Sequence, residues 1–172
     1  MRARSVRLLV IGLALVGCRS ESSATPVPSE SASASAVAPP VGPTLEFIVA
    51  AEGDVAARVK DELTRARTQG RKLVVYVGAT WCEPCRRFHD AASKGAFDAR
   101  LPRVRFLEFD LDRDKERLAE AGYVSEYIPL FALPSDDGRA SGKQIAGSVK
   151  GAGAPDEIAP RLDALLSQSS AP

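Results

Sequence analysis

From Leu73 to Val77 every residue in the stretch KLVVYVGA (72–79) is apolar, and three of the five are β-branched. A run this short with no polar face predicts a strand covered on both sides. VRFLEFDL (104–111), with Val104 and Phe106 in alternation, predicts a second buried strand. Ahead of them LEFIVA (45–50) reads as a strand or an apolar lead-in. Val55, Val59 and Leu63 recur every four residues, one stripe on a helix that starts at Gly53-Asp54 and stops near Gly70. Pro84 suits the first turn of another helix, because its missing N–H would be unpaired there anyway. Asp112 is the expected cap of a helix running to Gly122. LFALP (130–134) and KQIAGSV (143–149) predict two strands joined by the polar turn SDDGRASG, with Gly138 and Gly142. A last helix is predicted from near Pro155 to about Leu166, with Pro160 either delaying its start or kinking it. The order β-α-β-α-β-α-β-β-α implies an α/β domain: a central mixed sheet, parallel in its core with an antiparallel edge, flanked by helices.

The first 44 residues follow none of these periods. Arg2, Arg4 and Arg7 precede an apolar stretch, Leu8 to Val16, too short to span a bilayer. The stretch runs into Leu15-Val16-Gly17-Cys18, which resembles the lipobox of bacterial lipoproteins. That resemblance implies a signal peptide over residues 1–17, removed on cleavage, and a lipid on Cys18. An ordinary signal peptide that happens to contain a cysteine, or an uncleaved anchor, are the alternatives. Several acyl chains on one residue hold a membrane firmly, since each buried methylene contributes about 0.8 kcal/mol. Arg19 stands where Asp often marks inner-membrane retention, which favours the outer membrane. Residues 19–44 are mostly Ser, Ala and Pro and cannot bury enough apolar area to offset the entropy of ordering. With Cys18 they read as a disordered tether (18–44) holding a domain (45–168) off a membrane, at a reach of roughly 80 Å if fully extended. A proline-rich ligand segment or a glycosylated stalk is the other reading. Residues 169–172 form a tail.

Composition narrows the partners. The 172 residues are 45% hydrophobic and 26% charged, enough for one ordinary globular domain. The formal net charge is +1; without residues 1–17 it is −2, from 20 basic and 22 acidic residues. Neither value points to nucleic acid.

Three cysteines remain to be assigned. On the lipoprotein reading Cys18 is consumed, leaving Cys82 and Cys85 to pair. They could be a redox dithiol, a structural disulfide or part of a metal site. A disulfide closing so short a loop removes little unfolded-state entropy. Zinc wants four ligands, and this region offers two cysteines and His89, the chain's only histidine. Residue 86 is Arg, which excludes a Cys-x-x-Cys-His haem attachment.

VVYVGATWCEPCRRF (74–88) resembles the active-site segment of the thioredoxin superfamily: buried strand, small residue, Trp, Cys-x-Pro-Cys, basic residue, helix. YIPLF (127–131) resembles its second signature, an apolar residue before a cis-proline at the start of a strand. The resemblance covers roughly residues 45–168 and implies the thioredoxin-like fold and a thiol–disulfide oxidoreductase needing no external cofactor. It implies Cys82 as the attacking thiol and Cys85 as the resolving one, with Trp81, Pro84, Ile128 and Pro129 shaping the site. Ile128 would pair its backbone with a substrate strand, and Pro129, if cis, would sit against Cys82. Physical chemistry supports the first assignment: a thiol at a helix N-terminus meets unpaired N–H groups and the helix dipole, which favour the thiolate. Arg86 and Arg87 add to that effect and Glu83 opposes it. His89 is either a helix-surface or packing residue or a tuner of the thiols.

The chain departs from ordinary thioredoxins. Tyr76 stands where many carry a buried Asp six residues before the first cysteine, Gly78 replaces a common aromatic, and the helix lacks a mid-helix proline, with Asp at position 90. In these respects, and in FHDAASKGAFDARL (88–101), it resembles the C-terminal periplasmic domain of the membrane thiol reductase DsbD and its lipoprotein relatives. That implies a monomeric, lipid-anchored reductase facing the periplasm, with exported proteins as clients and a membrane electron donor or acceptor. A thioredoxin-like binding or chaperone module without redox turnover is the competing reading.

Overall fold

The computed structural model describes residues 45–168. The leader, the Cys18 anchor, the tether and the tail lie outside the described residues.

Among the described residues five strands form one sheet, in the order β1-β3-β2-β4-β5. The elements are β1 (Leu45–Val49), α1 (Val55–Thr68), β2 (Lys72–Gly78), α2 (Glu83–Ser93), β3 (Val104–Asp110), α3 (Leu111–Glu120), β4 (Leu130–Pro134), β5 (Ala140–Ala146) and α4 (Ala154–Ser167). β3 pairs in parallel with β1 and β2, while β4 runs antiparallel to both β2 and β5. This is the mixed sheet expected from the hydrophobic pattern, and its fold is thioredoxin-like.

The period of two along each strand sorts the core into two layers. Val74 and Tyr76 of β2 share a face with Phe106 of β3 and Phe131 of β4, packed under Phe88 of α2 and Ile158 and Leu162 of α4. Val75 and Val77 face the other way, with Leu107 and Phe109, against Val59 and Leu63 of α1 and Leu118 of α3. The first layer is aromatic: the Phe88 ring lies 4.9 Å from Phe131 and 5.3 Å from Phe97. α2 turns Cys85, Phe88 and Ala92 inward, the i, i+3, i+7 spacing of a single helical stripe.

The helix after β3 is capped two residues earlier than expected. β3 continues to Asp110, whose carboxylate accepts the amides of Asp112 and Arg113, so Asp110 is the cap and Asp112 lies within the first turn. The closing strand also begins three residues early, at Ala140 rather than Lys143. Ser135, Asp137 and Arg139 close the turn among themselves: Asp137 accepts from the Ser135 hydroxyl and the Arg139 amide. Gly138 fits there because its φ is +85° and a Cβ would fall 2.0 Å from the Ala56 carbonyl oxygen. Gly142, placed in the turn by the sequence, is a strand residue. Pro160 delays nothing: α4 starts at Ala154 and runs past it, with the ring on the exposed side.

Candidate active site

β2 ends at Gly78, and the segment Ala79-Thr80-Trp81 carries the chain into α2. Two contacts hold this segment: the Cys82 amide donates to the Ala79 carbonyl at 3.1 Å, and the Arg86 guanidinium donates to the Thr80 carbonyl at 2.9 Å. Cys82 is the N-cap of α2. Its backbone is extended, its Sγ accepts the Cys85 amide at 3.3 Å, and its carbonyl accepts the Arg86 amide at 3.2 Å. Sulfur takes the place that a Ser or Asp oxygen usually fills at a cap. Pro84 lies in the first turn and leaves no orphan donor.

Cys82 and Cys85 are joined in a disulfide, with Cα atoms 5.3 Å apart. Both residues are nearly covered, at 4% and 3% exposure. Trp81 is the opposite, 61% exposed, so it is no core residue. Its indole N–H donates to the Asp112 carboxylate at 2.8 Å, which fixes the ring at the rim beside the dithiol segment. Asp112 was assigned to a cap from the sequence; its role here is visible only in three dimensions, since 31 residues separate it from Trp81.

The charges flanking the dithiol partly cancel. Glu83 accepts from Arg87 at 2.8 Å, a hydrogen bond that holds the carboxyl below its usual value. The opposition between Glu83 and Arg87 expected from the sequence is therefore settled within that pair.

The Ile128–Pro129 peptide is cis. Leu130 pairs with Val77, so Ile128 and Pro129 project past the carboxyl end of β2, the end from which the chain leads to Cys82. Pro129 is buried and its carbonyl accepts the Gly147 amide, while Ile128 packs partly against both core layers.

Behind the disulfide the molecule is more polar than the sequence suggested. Tyr76 is 1% exposed and its hydroxyl donates to the Cys85 carbonyl at 3.5 Å. Burial, and then the charge of Glu108, push this phenol well above its usual value, so it stays protonated. Glu108 is the parallel-register partner of Tyr76. His89, one turn beyond Cys85 on α2, brings its Nε2 to 3.5 Å from the Glu108 carboxylate, and its ring packs 4.1 Å from that of Phe47. The partly exposed position and the packing on Phe47 agree with the surface or packing reading of His89.

A family profile described as thioredoxin-like matches residues 54–133. The chain is 31% identical over 100 residues to a thioredoxin H-type of Oryza sativa subsp. indica, covering 56% of this chain and 77% of that protein. It is 29% identical to thioredoxin Asp f 28 of Aspergillus fumigatus, covering 57% and 87%. Among solved structures, the thioredoxin of Fasciola hepatica superposes with a TM-score of 0.41 at 27% identity, over 58% of this chain and 85% of that one.

Proposed function

We propose that this chain, which belongs to the thioredoxin-like superfamily, is a membrane-tethered thiol–disulfide oxidoreductase that exchanges disulfides with exported proteins. The observation that carries the reading is the Cys82–Cys85 disulfide at the first turn of α2, with Cys82 itself as the cap. A reduced Cys82 there accepts the Cys85 amide and faces the positive end of the helix dipole, both of which favour its thiolate. In the reductive direction that thiolate attacks a client disulfide, and the first client sulfur leaves and takes up a proton. The Cys85 thiolate then displaces the second client sulfur from Cys82. Two electrons pass to the client and the protein is left with its disulfide, the state seen here. A membrane donor restores the dithiol.

Trp81, Pro84, Ile128 and Pro129 shape the client surface on this reading, with the Ile128 backbone pairing an extended client segment. The tether and the lipid on Cys18, the periplasmic setting and the DsbD-like role rest on the lipobox-like leader and on the motif resemblance. The test is insulin precipitation by dithiothreitol. The wild-type domain should accelerate it, and Cys82→Ser should give no more than the reagent alone. Equal rates for the two proteins would replace the enzyme by a binding module. Equilibration with glutathione fixes the direction of electron flow: a strongly reducing poise is expected.

A further inference from the structure

The exchange just described requires Cys85 to lose a proton before it can attack. Cys85 is 3% exposed, and burial disfavours a thiolate. A base has to stand within reach. Cys85 backs onto a cavity of about 330 Å³, which has room for several waters. The titratable and charged groups lining it are Tyr76 from β2, Glu108 and Asp110 from β3, Arg86 and His89 from α2, and Arg113 from α3.

Four of these are committed elsewhere. Tyr76 holds its proton and donates it to the Cys85 carbonyl. Asp110 caps α3 through its side chain. Arg86 is bonded to Thr80 and Arg113 to Asp114, and a guanidinium gives up no proton in a protein. His89 and Glu108 remain, and they face each other at 3.5 Å.

We propose that the His89–Glu108 pair is the base that accepts the Cys85 proton, through water in the cavity behind the disulfide. His89 and Cys85 lie four residues apart on one helix, so their side chains leave the same face. Glu108 arrives from the adjoining strand by register, and Phe47 backs the imidazole. With Nε2 turned to a carboxylate, the other ring nitrogen is the acceptor, and Glu108 stabilises the imidazolium that forms. The proton leaves Cys85 Sγ for the imidazole. The thiolate electron pair then makes the Cys85–Cys82 bond, the Cys82–client bond breaks, and the departing client sulfur keeps the electron pair of the broken bond and is protonated from the imidazolium. The base thus stands on β3 and α2, not at position 76.

The inference rests on the oxidoreductase reading, and one experiment separates the two. The reduced full chain, in detergent, is mixed with one equivalent of the chromogenic disulfide dithionitrobenzoate. Attack by Cys82 releases one thionitrobenzoate and resolution by Cys85 releases the second; Cys85→Ser should abolish only the second. His89→Gln and Glu108→Gln should each lower the ratio of second to first rate about tenfold near neutral pH, a modest part of what a general base contributes, and flatten the rise of the second step with pH. In His89→Ala, free imidazole in the buffer should restore the second step, which a merely structural role for the side chain would not allow. No first release from wild type would sink the oxidoreductase reading itself. Two normal releases, with the second unchanged within twofold and with the same pH profile in both Gln variants, would overturn the proposal alone.

Discussion

Tyr76 and Gly78 form one steric unit. They are two apart on β2 and so share a face. A Cβ built on Gly78 would stand 2.8 Å from the Tyr76 hydroxyl oxygen and 3.1 Å from the ring carbon that bears it. The ring cannot yield easily: it is 1% exposed, stacked on Phe131 at 5.1 Å and edged by Phe47 at 6.2 Å. Gly78→Ala should therefore cost the about 1–3 kcal/mol typical of overpacking a tight core, less the about 0.5–1 kcal/mol that Ala gains over Gly inside a strand. Tyr76→Phe alone should be nearly neutral, because it removes a hydroxyl held only by one long hydrogen bond. In the double variant the 2.8 Å contact no longer exists, and about 1 kcal/mol should return as coupling. The assay is urea unfolding of the four proteins at unchanged m-value, where 1 kcal/mol moves the midpoint by about half a molar. Strict additivity, with the double variant as unstable as the sum of the singles, would refute the steric argument.

Two further outcomes follow from carboxylates on α3. Asp112→Ala frees the indole of the chain's single tryptophan; Trp81 fluorescence anisotropy should fall while stability changes by less than about 1 kcal/mol, the pair being exposed, and unchanged anisotropy would show that the bond does not hold the ring. Asp114 is 1% exposed, and although burial raises its carboxyl, hydrogen bonds from Arg113, Arg117 and the Asp110 amide outweigh burial and hold it below the usual value. A depressed folded-state value gives stability that is present above the ordinary Asp value of about 3.9 and is lost as pH falls below it. Asp114→Asn should therefore destabilise at neutral pH, by about 1.5–3 kcal/mol for weakening charge-assisted hydrogen bonds to a buried carboxylate, and the gap from wild type should narrow below pH of about 4. A gap in urea midpoint that stays constant from neutral pH to about pH 3 would contradict this assignment.

How far the sequence reaches depends on whether a feature is local. The succession of strands and helices along the chain and the α1 stripe of Val55, Val59 and Leu63 were legible because each rests on a period of 2 or 3.6 within a few residues. The Cys82 cap, Pro84 in the first turn and the small residue after β2 lie within one short segment, and the sequence displays them together. The errors fell where neighbouring residues compete for one role. Asp110, Asp112 and Asp114 are all plausible caps in DLDRD, and only the reach of the β2–β3 ladder, which ends at the Gly78–Asp110 pair, selects the first. In SDDGRASG either glycine could have turned the chain. The close approach of α1's backbone to Gly138 selected the earlier one.

The rear of the site was not legible, and the reason is register. Position 76 carries Tyr where many thioredoxins place an acid. Yet parallel pairing sets Glu108 directly beside Tyr76, and a helical step from Cys85 brings His89 to Glu108. A carboxylate thirty-two residues downstream carries no signal of that neighbourhood in its own flanks, since VRFLEFDL reads only as a buried strand. What the departure at position 76 does record is space: a phenol now fills the pocket, and Gly78 yields room for it. On the proposal above, the group that takes the Cys85 proton stands on α2 and β3 rather than at position 76. On this argument the activity of the dithiol should track residues 89 and 108 rather than 76, and Tyr76→Asp should not accelerate turnover while His89 and Glu108 are in place. An increase of tenfold or more in that variant would show that position 76 still controls the resolving thiol, and that the pair behind it does not.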